Sequence, residues 1–257
     1  MKRPLIIAEC AVEHLGSLEV AKQMAYVSKK IGVDIVKYQL HLPDEEMLPN
    51  KIKFWGGSLD SILKKYNLTI SDHYELFNYC KKIDIEYLCT PFSPKAVDIL
   101  NEIGVKRYKT GSGEMMNFPL IDRVIKTKKP LIMSTGMASL DEIDIAIKYF
   151  LQNSKKNNLL TITNCTSIYP CPNNKVNLGL IKLYRDKYKI PVGHSDHTPD
   201  IYSSLGAVAL GASVIEKHFT LSKELKGPDY AVSIEPDEMK NLVIGAKKIF
   251  LSSGNNK

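Results

Sequence analysis

Eight short apolar runs alternate with eight longer amphipathic stretches along this chain, and that alternation constrains the fold more than any other feature. The apolar runs are Leu5–Cys10, Ile35–Gln39, Ile85–Cys89, Arg107–Lys109, Leu131–Ser134, Leu159–Cys165, Val192–Ser195 and Ser213–His218. Between and after them come helical patterns at Leu18–Ile31, Asp72–Ile83, Pro94–Ile103, Pro119–Thr127, Leu140–Leu151, Leu178–Tyr188, Ile201–Leu210 and Pro236–Phe250. Strands alternating with helices imply parallel βαβ units. Eight such units in 257 residues match a (β/α)8 TIM barrel in count and in length. The expectation is an α/β single domain over residues 1–250, followed by a polar tail over 251–257. A doubly wound open sheet is the alternative, but it usually places a glycine-rich turn after its first strand. Here that strand runs into Cys10-Ala11-Val12-Glu13-His14-Leu15-Gly16-Ser17. The longest interruption, Leu40 to Leu68, falls in a βα connection, where barrels build active sites, and is a candidate substrate loop.

Composition excludes several classes. There are 35 Lys+Arg against 28 Asp+Glu, a net charge of +7. The lysines are scattered near the ends of helical patterns (Lys29-Lys30, Lys64-Lys65, Lys81-Lys82, Lys128-Lys129, Lys155-Lys156) and form no nucleic-acid stripe. No apolar run is long enough to span a bilayer, and Glu9 falls too early for a signal-peptide core, so a cytoplasmic protein is expected. The five cysteines, Cys10, Cys80, Cys89, Cys165 and Cys171, show neither zinc spacing nor a disulfide framework, and are read as reduced, mostly buried thiols.

The chemistry-bearing residues gather at strand C-termini, where barrel enzymes work. Glu9, Lys37 with Gln39, Thr90, Lys109, Ser134, the Asn164–Pro170 stretch, the His194–Thr198 stretch and the Glu216–Thr220 stretch follow one another at these ends. Ionisable groups at nearly every end cost desolvation unless they are paired or bind something. Lys37 and Lys109, with Thr110-Gly111-Ser112-Gly113, read as an anion cradle. Ser134-Thr135-Gly136 is expected to open the next helix and to bind an anion at its N-terminus. His197 and His218, with Glu9 and Asp229 nearby, suit a divalent first-row metal such as Mn2+, Co2+ or Zn2+, with positions left for water and substrate. His14, His41, His73 and His194 are read as hydrogen-bonded structural residues.

At these ends the sequence resembles the sialic acid (N-acetylneuraminate) synthase family. The matching stretches are Ile6-Ile7-Ala8-Glu9 with Gly16-Ser17, Val36-Lys37-Tyr38-Gln39, Thr90-Pro91-Phe92-Ser93 and Tyr108-Lys109-Thr110-Gly111-Ser112-Gly113-Glu114. They continue in order with Leu131–Met137, Tyr169-Pro170, Gly193-His194-Ser195-Asp196-His197-Thr198, Glu216-Lys217-His218-Phe219-Thr220 and Gly227-Pro228-Asp229. The resemblance implies condensation of phosphoenolpyruvate with N-acetylmannosamine or a related amino sugar, with release of phosphate by C–O cleavage. It assigns Lys37, Thr90, Lys109, Ser112 and Ser195 to the phosphate and carboxylate, with Ser167 where some members have Asn. It assigns His197 and His218 to a divalent metal, Mn2+ first and Mg2+ or Co2+ as alternates. Glu9, Glu114, Tyr169 and Asp229 fall around the sugar and the reacting centre, with Glu9 or Glu114 moving the proton. It also implies a homodimer, with no nucleic-acid or membrane partner.

Two departures stand out. Glu13-His14 replaces the usual Asn-His pair of the first loop, and the family's C-terminal antifreeze-like domain does not follow Lys257. Three explanations stay open at this point: this is the barrel part of a longer chain, a separate chain carries the domain, or the enzyme works without it. Two other functions are set against the synthase. One is a pyruvate aldolase, either metal-dependent or using Lys37 or Lys109 as a Schiff-base amine. The other is a non-catalytic sugar- or phosphoenolpyruvate-binding barrel.

Overall fold

The computed structural model describes residues 3–48, 53–54, 57–156 and 159–254. In chain order the first elements are β1 (Leu5–Ala11), α1 (Leu18–Ile31), β2 (Ile35–Leu40), α2 (Pro43–Glu46), β3 (Lys53–Phe54), β4 (Gly57–Ser58), α3 (Leu59–Tyr66) and α4 (Ile70–Lys82). Then come β5 (Glu86–Pro91), α5 (Pro94–Ile103), β6 (Tyr108–Thr110), α6 (Phe118–Thr127), β7 (Leu131–Ser134) and α7 (Leu140–Ser154). The last are β8 (Leu160–Cys165), α8 (Gly179–Tyr188), β9 (Val192–Asp196), α9 (Tyr202–Ala209), β10 (Val214–His218) and α10 (Pro236–Ser252).

Eight of the strands form one parallel sheet in the order β5-β2-β1-β10-β9-β8-β7-β6. Its two end strands, β5 and β6, pack against each other, which makes a nearly closed barrel. All eight lie within a residue or two of the apolar runs, as expected for strands buried on both faces. The helices start where the sequence signals them. Ser17, Thr69, Ser93 and Ser139 accept a backbone N–H in the first turns of α1, α4, α5 and α7, and Asp72 and Glu142 complete capping boxes. The lysine pairs at 29–30, 64–65 and 81–82 fall in the last turns of α1, α3 and α4, where cations oppose the helix dipole. α10 continues to Ser252, slightly past the expected end of the domain.

The main core lies between barrel and helices. A second, smaller cluster, Ile7, Ile35, Leu88, Ile132 and Val214, fills the barrel interior. Side chains alternate along a strand, so residues two further on face inward as well, one level nearer the C-terminal end. Those residues are Glu9, Lys37, Thr90, Ser134 and Glu216. Gly193 completes the apolar level by having no side chain. A Cβ there would lie 2.2 Å from Val214 Cγ1 and 2.6 Å from Val214 O.

The β2–α4 connection, the expected substrate loop, is a small structured insertion: α2, the β3–β4 ribbon and α3. Part of the loop, residues 49–52 and 55–56, lies outside the described residues, as do tail residues 255–257. Among the described residues, no helix is long and apolar enough to cross a membrane.

Candidate active site

A cavity of about 520 Å3 opens at the C-terminal ends of the barrel strands, and all twelve residues that the family resemblance assigns line it. The polar inner level forms its floor. Lys37, on β2, places Nζ 3.0 Å from Glu216 Oε1 and 3.3 Å from Glu9 Oε2. Lys109, on β6, lies 3.7 Å from the same Glu216 oxygen and donates to Ser134 Oγ and to the Thr110 carbonyl. Ser195 donates to Glu216 Oε1 at 3.1 Å. These groups are almost fully buried.

Burial and the neighbouring charges compete in setting their ionisation. Burial pushes the Glu9 carboxyl up to about 7, against the opposing pull of Lys37. Burial also raises Glu216, but the two lysines outweigh it and hold Glu216 below the usual carboxylate range. For Lys37, desolvation is overcome by Glu216 and Glu9, and its ammonium is stabilised. Desolvation wins for Lys109, whose pKa is lowered. The floor is thus a fixed charge cluster in which Glu9 is the carboxylate closest to changing its proton near neutral pH.

The walls come from the loops. Ser112 lies on a turn after β6 and accepts the Gly136 N–H at 3.1 Å. This corrects the expectation for Ser134-Thr135-Gly136. They do not open a helix: α7 starts at Leu140 with Ser139 as its cap, and the Gly136 amide is already bonded. Glu114 is half-buried at the rim, where burial raises its pKa, and it accepts from Asn117. Thr90 Oγ1 is buried with no hydrogen-bond partner among the described residues. Ser167 and Cys165 come from the end of β8, and all five cysteines are free and buried, as expected.

His197 and His218 stand side by side, ring centroids 5.3 Å apart, and Tyr169 stacks on His197 at 4.0 Å. His197 Nδ1 donates to the Thr166 carbonyl at 2.7 Å. That bond leaves Nε2 with its lone pair, the arrangement that orients metal-ligating imidazoles. His218 Nδ1 is buried without a hydrogen-bond partner among the described residues, 3.6 Å from Asp229 Oδ2. This donor set fits a cation held by two imidazoles with the rest of its shell open. Among the described residues, no three His, Cys, Asp or Glu side chains form a metal-binding group. Glu9 turns toward Lys37 and Gln39.

Glu13, one of the sequence departures, is buried and accepts the Asp229 N–H at 2.7 Å. It joins the β1–α1 loop to the loop that carries Asp229. Burial raises its carboxyl to about 7. A Cβ at residue 227 would lie 2.5 Å from the Glu13 carboxylate, so Gly227 makes the contact feasible. His73, His14 and His194 behave as structural residues. His73 bonds Tyr87 Oη at 2.7 Å, His14 Nδ1 accepts the Gly16 N–H, and His194 Nδ1 faces the Asn164 carbonyl.

Read from the sequence, Glu216, Gln39 and Cys165 carry no assigned role, although all three line the cavity, and Ser134, expected at an anion site, lines it as well. The signal was available in the period of two. Val214, Glu216 and His218 must share a face, whereas Lys217 points outward, 3.4 Å from Asp196.

The chain matches the NeuB family over residues 24–257. It is 40% identical over 262 residues to the N,N'-diacetyllegionaminic acid synthase of Campylobacter jejuni, a match that covers 99% of this chain and 78% of that protein. It is 34% identical over 247 residues to the N-acetylneuraminate-9-phosphate synthase of Homo sapiens, covering 93% of this chain and 68% of the other. The crystal structure of the N-acetylneuraminic acid synthetase of Leptospira borgpetersenii in complex with citrate superposes with a TM-score of 0.91 at 30% identity. That match covers 100% of this chain and 87% of that one.

Proposed function

This chain belongs to the NeuB family and is an enzyme of the kind its synthase relatives represent; from that premise we propose that it joins phosphoenolpyruvate to the open-chain aldehyde of an amino sugar. The products are a nonulosonic acid and inorganic phosphate. C3 of the enol forms the new bond to the aldehyde carbon, water adds to C2, and the C–O bond to phosphate breaks.

The observation that carries this reading is the floor of the cavity. Two buried lysines and two buried carboxylates face one another where a small anion would sit. Lys37 and Lys109 neutralise the phosphate and carboxylate of phosphoenolpyruvate, with hydroxyls of Thr90, Ser112, Ser167 and Ser195 completing the contacts. Glu9 is the proton-transfer group preferred over Glu114. It is fixed at the barrel centre and its pKa of about 7 suits proton exchange near neutral pH. Glu114 sits at the rim, held by Asn117. Tyr169, Glu114 and Asp229 orient the sugar. His197 and His218 would hold a divalent cation, Mn2+ or alternatively Mg2+ or Co2+, which when bound polarises the acceptor carbonyl.

A phosphate-release screen tests the proposal, with phosphoenolpyruvate, Mn2+ and a panel of amino sugars that includes N-acetylmannosamine and a diacetamido hexose. The expected result is release that requires both metal and one class of acceptor and is lost in His218→Ala. No release with any acceptor overturns the synthase reading. Full activity of His218→Ala overturns the metal assignment. A pyruvate-derived adduct trapped by borohydride on Lys37 or Lys109 would favour the aldolase instead.

A further inference from the structure

The sequence marks His41 as structural, yet it lies in a continuous hydrogen-bonded chain that ends on Glu9. Gln39 Nε2 donates to Glu9 Oε1 at 3.1 Å. Gln39 Oε1 faces His41 Nε2 at 2.9 Å. His41 Nδ1 lies 2.7 Å from Glu46 Oε1, and Glu46 Oε2 accepts the Leu42 N–H at 3.1 Å. The His41 and Glu46 side chains are only 8% and 4% exposed, so water does not substitute for either contact. The His41 ring is further fixed by stacking on Phe92, centroids 4.1 Å apart and 15° from parallel.

The Gln39 side-chain oxygen can only accept, so His41 Nε2 donates to it, and on the other side of the ring one proton lies between Nδ1 and Glu46 Oε1. The donor at Nε2 decides which way the Gln39 amide points. Turned over, that amide would set its oxygen against the Glu9 carboxylate and its N–H groups against the His41 N–H. One fixed orientation therefore runs from Glu46, at the end of α2, to the barrel floor. Gln39, His41 and Glu46 also line a side chamber of about 340 Å3 that shares Phe92, Glu114 and Asp229 with the main cavity.

We propose that His41 and Glu46 are positioning residues for the reaction: through the Gln39 amide they hold the Glu9 carboxylate aimed at the reacting centre. This rests on the proposed role of Glu9. It also gives the β2–α4 insertion a function, since α2 brings Glu46 to His41.

The test compares two substitutions of His41 in the full chain. His41→Phe keeps a ring on Phe92 and removes both ring nitrogens. His41→Gln keeps an N–H donor at the Nε2 position and loses the ring. Misaiming a reacting group by about 1 Å costs on the order of a hundredfold, so His41→Phe is expected to lose about that much in kcat with the KM for phosphoenolpyruvate unchanged. His41→Gln is expected to recover most of it. A purely structural histidine would show the reverse order, because Phe preserves the packing. That order, or a His41→Phe enzyme within about threefold of the parent, overturns the proposal. The Gln39 side-chain amide protons, followed by nuclear magnetic resonance, give a readout independent of turnover. They should exchange slowly with water in the parent and in His41→Gln, and in His41→Phe exchange faster and shift toward the values of a free glutamine amide. Unchanged signals in His41→Phe overturn the proposal even if no acceptor is turned over, whereas absent phosphate release in the parent overturns only the synthase reading.

Discussion

The barrel interior has two levels, built from the same strands two residues apart, and they obey opposite rules. At the lower level Ile7, Ile35, Leu88, Ile132 and Val214 pack against one another with Gly193 making room. At the upper level the next inward positions are Glu9, Lys37, Thr90, Ser134 and Glu216, all buried. The lower level gains from burial. The upper level sacrifices stability to hold charges where chemistry is done. The far end of the barrel sharpens the contrast. The cavity there is larger, about 910 Å3, but its arginines are already engaged: Arg3 with Asp34, Arg107 with Glu86 and Arg185 with the Leu210 carbonyl. Cavity size does not mark the site; buried charge shared among several partners does.

Substitutions at the two levels should therefore fail in different ways. The largest effect is expected from Lys109→Met at the upper level. Removing one preorganised charge contact costs about 10²–10³ in kcat. The melting temperature should stay within a few degrees of the parent, because Met fills the space and Lys37 still compensates Glu216. Steady-state kinetics and a thermal melt on the same sample check both halves. Gly193→Ala at the lower level should do the opposite. It forces a methyl group against Val214 and destabilises by about 2–3 kcal/mol, while the enzyme that remains folded keeps near-parental kcat. Chemical denaturation and activity per folded molecule test this pair.

A smaller effect lies outside both levels, in the β1–α1 loop, and is read through pH. The Glu13 carboxyl is raised to about 7 by burial, against the hydrogen bond from the Asp229 amide. Its folded-state pKa lies above its unfolded value, so the folded chain binds more protons in between and stability falls as pH rises through about 7. Glu13→Gln keeps an acceptor for the Asp229 N–H and removes the charge. It should melt with the parent near pH 5 and be more stable by about 1–2 kcal/mol near pH 8. An offset that is the same at both pH values would show that the Glu13 charge is not the cause.

Much of this was legible in the sequence because period and position carry it. The apolar runs and the helical patterns between them marked eight βα units, and the strand-end residues converge in one cavity. What was missed follows from three physical causes. Glu216 lies beside His218 in the same motif, and its role as the shared partner of two lysines depends on β10 facing β2 and β6 across the barrel. Ser134-Thr135-Gly136 looked like a helix start, but the real cap, Ser139, lies five residues past Ser134. The His41–Gln39–Glu9 chain depends on a ring orientation that only tertiary packing on Phe92 sets.

The central claim is that the upper level builds a site where phosphoenolpyruvate loses phosphate by breaking its carbon–oxygen bond. Phosphoenolpyruvate labelled with oxygen-18 at the bridging position tests this directly, with the released phosphate and the sugar product weighed by mass spectrometry. The label is expected to leave with phosphate, and phosphate and nonulosonic acid are expected in equal amounts. Label retained in the organic product, or phosphate released without any condensed sugar, would contradict it.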